Sequence, residues 1–514
     1  KILLHLNELL LNSKITRMLH RILGIVSVKL LFCEFFLMGL LMSCHSEVYF
    51  VDAYIIENVN VIDPLDGLKK GVNVVIKGNK IQKIGEVGDL KLSQKNKIID
   101  GTDKYLIPGL WDSHVHFYFD QQLSLHMPEL FLSNGITSVR DTGGAFHYVD
   151  SIRQNGLKHP KTHPRVKIAG PLIDGNFNVY NGSVLPELSI RTRNVSESIS
   201  ETEKLVSLGV DFLKAYEMLS PQQFEAIAAI AAREKLRLAG HVPLSMEITH
   251  AISLGLNSLE HIKNLELEAV ENSDSMLLAR RMMLDNKSLL SGRQLRANIH
   301  RAQKQFAVDH IATDAYQKIL DTIKKYDSYQ VPTLSIYKVP IYKIFREPFW
   351  RKSFELLPKR TRDQWQKNLL ASNDKIDPEQ KKFSDWIQKT TNSMAKSKIP
   401  LMAGTDTPLG FLTPGFSLHY ELELMVESGL TELQALATAT LNPAKYFRME
   451  DSLGLVKKDY IADLILLAEN PLENIAHTKD IIAVIKDGNF IDKSSLEKIQ
   501  KEISEGLSVK SLNR

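Results

Sequence analysis

Cysteine is nearly absent from this chain: 514 residues contain only two, Cys33 and Cys44, and both lie near the N-terminus. A disulfide framework needs cysteines spread along the chain, and a cysteine-ligated zinc site needs a cluster of them. The rest of the chain can form neither. A cysteine nucleophile is excluded there as well, so any chemistry must depend on other side chains.

An excess of charge of one sign is also missing. Lysine and arginine number 64 against 60 aspartate and glutamate residues, which gives a formal net charge of +4. A protein that binds nucleic acid through its phosphates carries a clear basic excess, so this class is excluded. Hydrophobic residues make up 44% of the chain, a composition that is typical of a globular protein and too apolar for a disordered one.

Long apolar runs are rare, and the one near the N-terminus predicts export. After a candidate start at Met18, basic residues precede the apolar stretch Leu30–Ser43, which is short for a membrane span and contains Glu34. We therefore interpret residues 1–43 as a signal peptide region. No later stretch is apolar and long enough to span a membrane.

The end of that stretch, Leu41-Met42-Ser43-Cys44, resembles the lipobox of bacterial lipoproteins, in which the cysteine is lipidated. The resemblance implies lipidation at Cys44. It also implies a periplasmic or membrane-anchored lipoprotein whose only membrane contact is this N-terminal lipid. A plain secretory signal is the alternative.

Both ends of the remaining chain have the pattern of β-structure. Within residues 50–107 and again within residues 449–493, short apolar runs alternate with turn residues such as Asp66-Gly67. Residues 494–514 then form a C-terminal tail. The predicted strands are Tyr54–Ile62, Val72–Ile76, Lys80–Ile84, Lys97–Ile99, Ala462–Ala468 and Ile481–Lys486.

Between these ends, residues 108–448 alternate apolar runs with helical patterns, which is typical of βα units. The eight runs are Trp111–Phe117, Thr137–Thr142, Val166–Ala169, Val210–Ala215, Leu236–His241, Ser258–His261, Val331–Ser335 and Pro400–Asp406. They predict an α/β fold, a TIM-type (β/α)8 barrel, with a doubly wound sheet as the alternative. Five of the eight runs carry a potential ligand near their C-terminal end. This favours the barrel, because barrel enzymes place their active sites at that face.

A metal site is the chemistry that these residues suggest first. His114 and His116 lie two positions apart in a predicted strand, so both imidazoles point to the same side and can reach one metal ion. The pattern alone is weak in a chain with 16 histidines, and its surroundings carry more information.

Those surroundings resemble the amidohydrolase superfamily over about residues 53–491, above all the branch that holds imidazolonepropionase and exported dipeptidases acting on Xaa-Pro or Xaa-Arg/Lys peptides. The matching segments are Leu106–His116, Thr137–Asp141, Asp211–Lys214, Ala239–His241, Leu259–His261, Gly404–Asp406, Thr438–Ala444 and Ala462–Leu467. This ordered set is far more specific than any single motif. It implies a barrel and a small β-sandwich domain built from both chain ends.

The resemblance also implies a site for two divalent metal ions. Its six ligands would be His114, His116, Lys214, His241, His261 and Asp406. The first two histidines and the aspartate would bind one ion, and the other two histidines would bind the second. Lys214 would bridge both ions after carboxylation of its amine, because an ammonium repels a cation whereas a carbamate is an anionic oxygen ligand. Such ligands suit Zn²⁺, with Mn²⁺, Fe²⁺ or Co²⁺ as alternatives.

Each of these residues also has an ordinary interpretation. Lys214 could be an unmodified lysine at a strand end, as in a one-metal relative. His241 could close a strand, His261 could be a core histidine bonded to backbone, and Asp406 could cap a helix. Their shared order and their positions on predicted strands favour the metal site over these separate explanations.

Further residues are candidates for contact with the substrate. Tyr216 follows the predicted bridging lysine, and a structural role is its alternative. His419 lies beyond the eighth run, where a position on a helix surface is the alternative. Residues 262–330 and 336–398 are long connections that need structure of their own, so we predict helical insertions. They could form a lid, or their aromatic residues could only pack the added helices together.

The function that the resemblance implies is hydrolysis of a C–N bond, amide or peptide, in a small molecule or dipeptide. A hydroxide activated by metal would attack the carbonyl, with Asp406 as general base and then general acid. One rival is a single-metal hydrolase of a cyclic amide, or a deaminase. The others are a catalytically inactive barrel that serves as a surface binding protein, and a lipid-anchored interaction protein that works through its insertions. The sequence leaves the oligomeric state open.

Overall fold

A computed structural model of the chain describes Met18 and residues 49–85, 91–92, 95–285 and 291–506. The rest of the predicted signal peptide region, Cys44 and the last residues of the tail lie outside the described residues. Among the described residues, no helix has the length and apolar character needed to cross a membrane.

The chain divides into two compact units. Residues 1–52 and 88–96 belong to the first, in which strands Tyr49–Phe50 and Lys91–Leu92 pair in parallel. Residues 53–87 and 97–514 belong to the second, which contains all the elements described below.

The second unit mixes strands and helices along its whole length. Its strands are β1 (Tyr54–Asp63), β2 (Gly67–Lys77), β3 (Lys80–Gly85), β4 (Lys97–Asp100), β5 (Tyr105–Pro108), β6 (Leu110–Val115), β7 (Ile136–Asp141), β8 (Arg165–Ile168), β9 (Leu172–Asp174), β10 (Ser189–Arg191), β11 (Phe212–Ala215), β12 (Arg237–Gly240), β13 (Leu256–Glu260), β14 (Tyr329–Val331), β15 (Leu464–Leu467), β16 (Ile481–Lys486) and β17 (Asn489–Asp492). Its helices are α1 (Met127–Ser133), α2 (Phe146–Lys158), α3 (Val195–Ser207), α4 (Pro221–Arg233), α5 (Ile248–Ser253), α6 (Ser273–Asp285), α7 (Gly292–Asp309), α8 (Thr313–Lys325), α9 (Leu334–Ile341), α10 (Pro348–Lys352), α11 (Lys359–Ala371), α12 (Pro378–Lys396), α13 (Phe416–Glu427), α14 (Glu432–Thr438), α15 (Leu441–Tyr446) and α16 (Lys493–Ser504).

Strands from both ends of the unit form one sheet of eight strands. We call it the small sheet, after the small β-domain that the sequence predicts. Its order is β17-β16-β15-β5-β1-β2-β3, with β4 beside β1. Strand β15 lies antiparallel to β5 on one side, where Leu464 faces Pro108, and antiparallel to β16 on the other. All of its residues are buried, because neighbouring elements cover both of its faces. The two β-rich ends therefore meet in one sheet, while packing of that sheet as a sandwich stays a prediction.

The remaining strands run in parallel and form the centre of the fold. Strands β8, β7 and β6 make one parallel sheet, and β10, β9, β11, β12, β13 and β14 make another. Every residue of β6 and β7 is buried, although β6 contains Asp112, Ser113 and His114. Buried polar groups must find hydrogen-bond partners, so these residues mark a part of the centre that is not an apolar core.

Hydrogen bonds link the two parallel sheets at both edges. At one edge, the backbone N–H of Asp211 donates to the carbonyl of Ile168 at 2.9 Å, next to β11 and β8. At the other, residues 400–407 lie between β14 and β6, with bridges from Gln330 to Leu401 and from Val115 to Thr407. This connectivity is that of a TIM-barrel-type α/β fold, as predicted.

Two of the eight predicted barrel strands are wrong in their extent. Strand β14 ends at Val331, because Pro332 has no N–H to donate and Thr333 has a φ of 47°, after which α9 begins. Residues 400–406 make only isolated bridges, and Asp406 has a φ of 68°, which no extended strand accommodates. The short strands β9 and β10 were not predicted, since no apolar run marks them.

The two long connections are helical, as predicted. Helices α6 to α8 occupy the first, and α9 to α12 the second. In the second, the rings of Phe345, Phe354 and Trp365 surround Phe411, with centroids 4.6, 6.2 and 5.8 Å away. These aromatic residues pack the added helices together, while Phe349 is half-exposed.

A buried ion pair in the small sheet provides a test of this fold. The Nζ atom of Lys486 lies 3.1 Å from both carboxylate oxygens of Asp463, and both side chains are buried. We expect Lys486→Met to reduce the free energy of unfolding by about 3 to 5 kcal/mol, because it leaves a buried carboxylate without its main partner. Urea unfolding measures this. The control is Lys69→Met, which removes an exposed ion pair with Asp66 and should change the free energy of unfolding little. Equal stability of the two variants contradicts the prediction.

Candidate metal centre

A cavity of about 170 Å³ opens where the parallel strands end. It is lined by His114, His116, Leu172, Tyr180, Lys214, Tyr216, His241, His261, Lys263, Arg296, Ile336, Tyr337 and Asp406. All six predicted metal ligands are in this set. The fold brings them together because each lies at or just beyond the carboxyl end of its strand or, for Asp406, of the segment between β14 and β6.

The four histidines of the cavity share one arrangement of their rings. Each Nδ1 atom has a partner outside the cavity: Glu260 for His114 (2.6 Å), the Gly143 carbonyl for His116 (3.0 Å), Glu217 for His241 (2.5 Å) and Thr333 for His261 (2.7 Å). Metal-ligating histidines in proteins use the second ring nitrogen in this way, which fixes the tautomer and the ring orientation. Each ring therefore has its Nε2 atom left for a ligand in the cavity.

Three of the four Nε2 atoms converge on Asp406. The Nε2 atoms of His114 and His116 lie 3.4 and 3.3 Å from its Oδ1 atom, and that of His261 lies 3.9 Å from its Oδ2 atom. One ligand atom from each of His114, His261 and Asp406 falls within 4.8 Å of the others. The buried Nε2 atom of His114 makes no hydrogen bond. A divalent cation fits this set of donors, since it would satisfy them together.

The backbone holds two of these residues in an uncommon conformation. Asp406 and His261 have φ values of 68° and 63°, in the left-handed region. Non-glycine residues there cost free energy and often mark functional sites. Hydrogen bonds stabilise the conformation: the N–H of Asp406 donates to the His114 carbonyl at 2.8 Å, and that of His261 to the Val331 carbonyl at 2.7 Å.

The protonation state of the histidines suits metal binding. Burial lowers the pKa of His241 to about 4 and the pKa values of His114 and His261 well below the usual value. These imidazoles are neutral at pH 7, and the neutral imidazole is the form that binds metal. Burial also lowers the pKa of His116, but its hydrogen bond to Asp406 and the negative charges of Asp406 and Asp141 together outweigh this effect and leave the pKa raised.

Lys214 lies among these groups and is almost completely buried. Burial lowers the pKa of its amine to about 8, although the charge of Glu260 opposes this effect. A larger fraction of the amine is therefore neutral at pH 7 than for an exposed lysine. A buried, partly neutral amine is a nucleophile as well as a hydrogen-bond donor.

Glu260, the hydrogen-bond partner of His114 outside the cavity, belongs to a buried ion pair. The guanidinium of Arg140 contacts both oxygens of Glu260 at 2.9 and 2.8 Å, and Ser258 donates to the same carboxylate at 2.7 Å. The partner of Arg140 is therefore Glu260 and not Asp141, its neighbour along the chain. Asp141 instead accepts from the backbone of Phe117.

The two candidate substrate residues have different surroundings. Tyr216 lines the cavity, with its ring centroid 4.5 Å from that of His241. His419 is outside the set of cavity residues, and its ring nitrogens contact Thr478 at 2.9 Å and the Asn134 carbonyl at 3.0 Å. Its position therefore does not support contact with substrate. The alternative of a helix-surface residue is wrong as well, because the side chain is buried.

Other cavity residues were not predicted. Tyr180, Tyr337, Lys263 and Arg296 form part of its wall, and Arg296 comes from α7 in the first insertion. None belongs to a motif, so the sequence offered no signal for them, although Lys263 is only two residues from His261.

Comparison with known proteins places this geometry in a family. The ochratoxinase of Aspergillus niger is 23% identical over 424 residues, which cover 72% of this chain and 71% of that protein. The solved structure of A. niger ochratoxinase matches with a TM-score of 0.59 at 20% identity, over 86% of this chain and 96% of that one. A Xaa-Pro dipeptidase with bound methionine in its active site matches with a TM-score of 0.62 at 19% identity, over 86% of this chain and 100% of that one.

At these identities the solved structures show a shared fold. The model of the amidohydrolase family matches residues 105–491, which include all six predicted ligands and the strand that returns to the small sheet. The chain belongs to the amidohydrolase family.

Proposed function

We propose that this protein is a metal-dependent hydrolase that cleaves a C–N bond, amide or peptide, in a small substrate. The observation that supports this most is the arrangement of the four histidines, which use Nδ1 for outside partners and leave Nε2 for the cavity. Such an arrangement has little structural purpose without a ligand, because it leaves the buried Nε2 atom of His114 without a hydrogen bond.

The residues would hold two divalent ions, with Zn²⁺ as the preferred metal. His114, His116 and Asp406 would bind one, and His241 and His261 the other. Lys214 would bridge them as a carbamate, since its amine is neutral often enough at pH 7 to react with carbon dioxide. Bound divalent metal supplies a hydroxide at neutral pH and polarises the substrate carbonyl.

The protein's own contribution is proton transfer and positioning. Asp406 lies within 3.4 Å of two histidine Nε2 atoms, where it would take a proton from the attacking water and deliver it to the leaving nitrogen. Tyr180, Tyr216 and Tyr337 form a wall that orients the substrate and excludes water from the reacting atoms.

The charges of the cavity favour a substrate with a carboxylate. Lys263 and Arg296 both line it and share a single buried counter-charge, Glu217, whereas Asp406 is the only acidic residue among the lining residues described. The cavity volume of about 170 Å³ restricts the substrate to a small molecule. This argument favours dipeptides over uncharged cyclic imides.

One observation supports a second candidate. His114, His261 and Asp406 alone can hold one ion, since their ligand atoms lie within 4.8 Å of each other. A single-metal hydrolase of a cyclic amide, or a deaminase, would then leave Lys214 unmodified as a hydrogen-bond donor.

Metal content distinguishes these two candidates. In protein purified with bicarbonate, we expect about two metal ions per chain in the wild type and a sharp loss in Lys214→Ala, because the bridging ligand is removed. Elemental analysis measures this, with the exposed Lys204→Ala as the control. One ion per chain that is retained in Lys214→Ala contradicts the bridged site and supports the single-metal candidate.

Asp406→Asn tests the proton transfer. We expect the kcat for a dipeptide to fall by a factor of about 10² to 10⁴, since an amide cannot act as general base. The exposed Asp309→Asn is the control and should keep full activity. Steady-state assays measure kcat for the three enzymes. If Asp406→Asn keeps more than a tenth of the wild-type kcat, Asp406 is not the general base.

The proposed substrate charge can be tested on matched peptides. We expect C-terminal amides of Xaa-Pro and Xaa-Arg dipeptides to show a kcat/KM about 10- to 100-fold lower than the free acids, because they lose a charge-assisted hydrogen bond. Ninhydrin or chromatographic assays of both series provide the ratio. Equal cleavage of acid and amide contradicts recognition of the carboxylate.

A further inference from the structure

Glu217 is a completely buried carboxylate that contacts His241, a candidate metal ligand, on the side of the ring that faces away from the cavity. Its Oε1 atom accepts from Nδ1 of His241 at 2.5 Å. Glu217 therefore sets the tautomer of His241 and the direction of its ring. A buried carboxylate can do this only if its own position is fixed by other groups.

Those groups come from the first insertion. On α7, Nε of Arg296 donates to Oε2 of Glu217 at 2.9 Å, and Nε2 of His300, one turn later, lies 3.6 Å from the same oxygen. Lys263, at the start of the insertion, lies 3.5 Å from Oε1. The barrel thus provides the carboxylate, and the insertion provides its two cationic partners, Arg296 and Lys263.

Arg296 also contacts Tyr216, the second residue that packs against His241. Its guanidinium lies 5.8 Å from the ring centroid of Tyr216, whose ring is in turn 4.5 Å from that of His241. Arg296 therefore touches both the carboxylate bonded to the edge of His241 and the tyrosine against its face.

Close packing fixes α7 in the place where Arg296 can do this. A Cβ atom at Gly292, the first residue of the helix, would come within 1.6 Å of the Phe177 carbonyl oxygen. Only glycine permits this approach. The side chain of Ser291 accepts from the backbone of Gln294, whose side chain bonds back, so a capping box orders the first turn of the same helix.

The other three histidines differ in this respect. The partner of His114 is held by Arg140 on strand β7, and the partners of His116 and His261 are a backbone carbonyl and a threonine hydroxyl. Among the four, His241 is the one whose partner is a carboxylate held by a cationic side chain of an insertion helix.

From this asymmetry we infer that the first insertion is part of the metal centre, with Glu217 and Arg296 as positioning residues for His241. The inference rests on the proposed function, since it assumes that His241 binds metal. It assigns the insertion a second task beyond that of forming the cavity wall.

Chelator titration of the zinc-loaded protein, without substrate, tests the inference. We expect Arg296→Gln and Glu217→Gln to lose one zinc ion at about 10- to 100-fold lower chelator concentration than the wild type, and to keep the other. Arg296→Lys retains the charge and should recover part of the affinity. Arg301→Gln changes an exposed arginine on the same helix and should match the wild type.

A second measurement separates positioning from general stability. If α7 strengthens zinc binding through Glu217, zinc must strengthen the docking of α7 by the same free energy. We expect zinc to slow amide hydrogen exchange over residues 292–309 in the wild type and in Arg301→Gln, and to have no such effect in Glu217→Gln.

The outcomes distinguish the inference from the proposed function. The inference is overturned if Arg296→Gln releases zinc at the wild-type chelator concentration and zinc does not change amide hydrogen exchange in α7. The proposed function would not be affected by that result. A wild-type protein that binds no zinc overturns both. Loss of one zinc ion in Arg296→Gln with partial recovery in Arg296→Lys supports the inference, because a merely unfolded variant would lose both ions.

Discussion

The candidate site depends on one constraint, which is that four imidazoles are buried and each must be held by a partner on its far side. Two of these partners are carboxylates, one is a carbonyl and one is a hydroxyl. Burying a carboxylate is costly, so Glu260 and Glu217 each need a cation of their own. The positions of Arg140 and Arg296 follow from that need. The candidate site therefore extends from the imidazoles through their carboxylate partners to two arginines, one of which lies in the first insertion.

The parts of the site that the sequence predicted are those tied to strand geometry. His114 lies in β6 and His116 just beyond its end, and Lys214, His241 and His261 lie at or just beyond the ends of neighbouring parallel strands. The carboxyl ends of such strands meet at one face, which brings these residues together. Strand geometry by itself indicated only His114 and His116 as ligands, and the family resemblance implied Lys214, His241, His261 and Asp406.

The rest of the site could not be predicted, because its contacts have no regular spacing. Arg296 bonds to Glu217 across 79 positions, from a helix whose direction depends on close packing at Gly292. Likewise, the seventh and eighth predicted strands were wrong where the backbone leaves the extended region at Thr333 and Asp406. The spacing of apolar residues predicts regular strands and helices. It does not predict where a residue adopts a positive φ that turns its side chain toward a ligand. The sequence left two roles open for the aromatic residues of the second insertion, and in the structure Phe345, Phe354 and Trp365 pack around Phe411.

The small sheet ties the two ends of the chain together, and this has a consequence for the order of synthesis. Strand β15 lies between β5 and β16, so β5 has no partner on that side until residues 464–467 have been made. An exposed edge strand is a site where other chains can pair, and contacts between distant segments form slowly. The nascent chain therefore exposes one edge of β5 for as long as the barrel is being translated. Pairing of β15 with β5 removes that edge, so the strand that returns to the sheet also protects the chain from pairing with others.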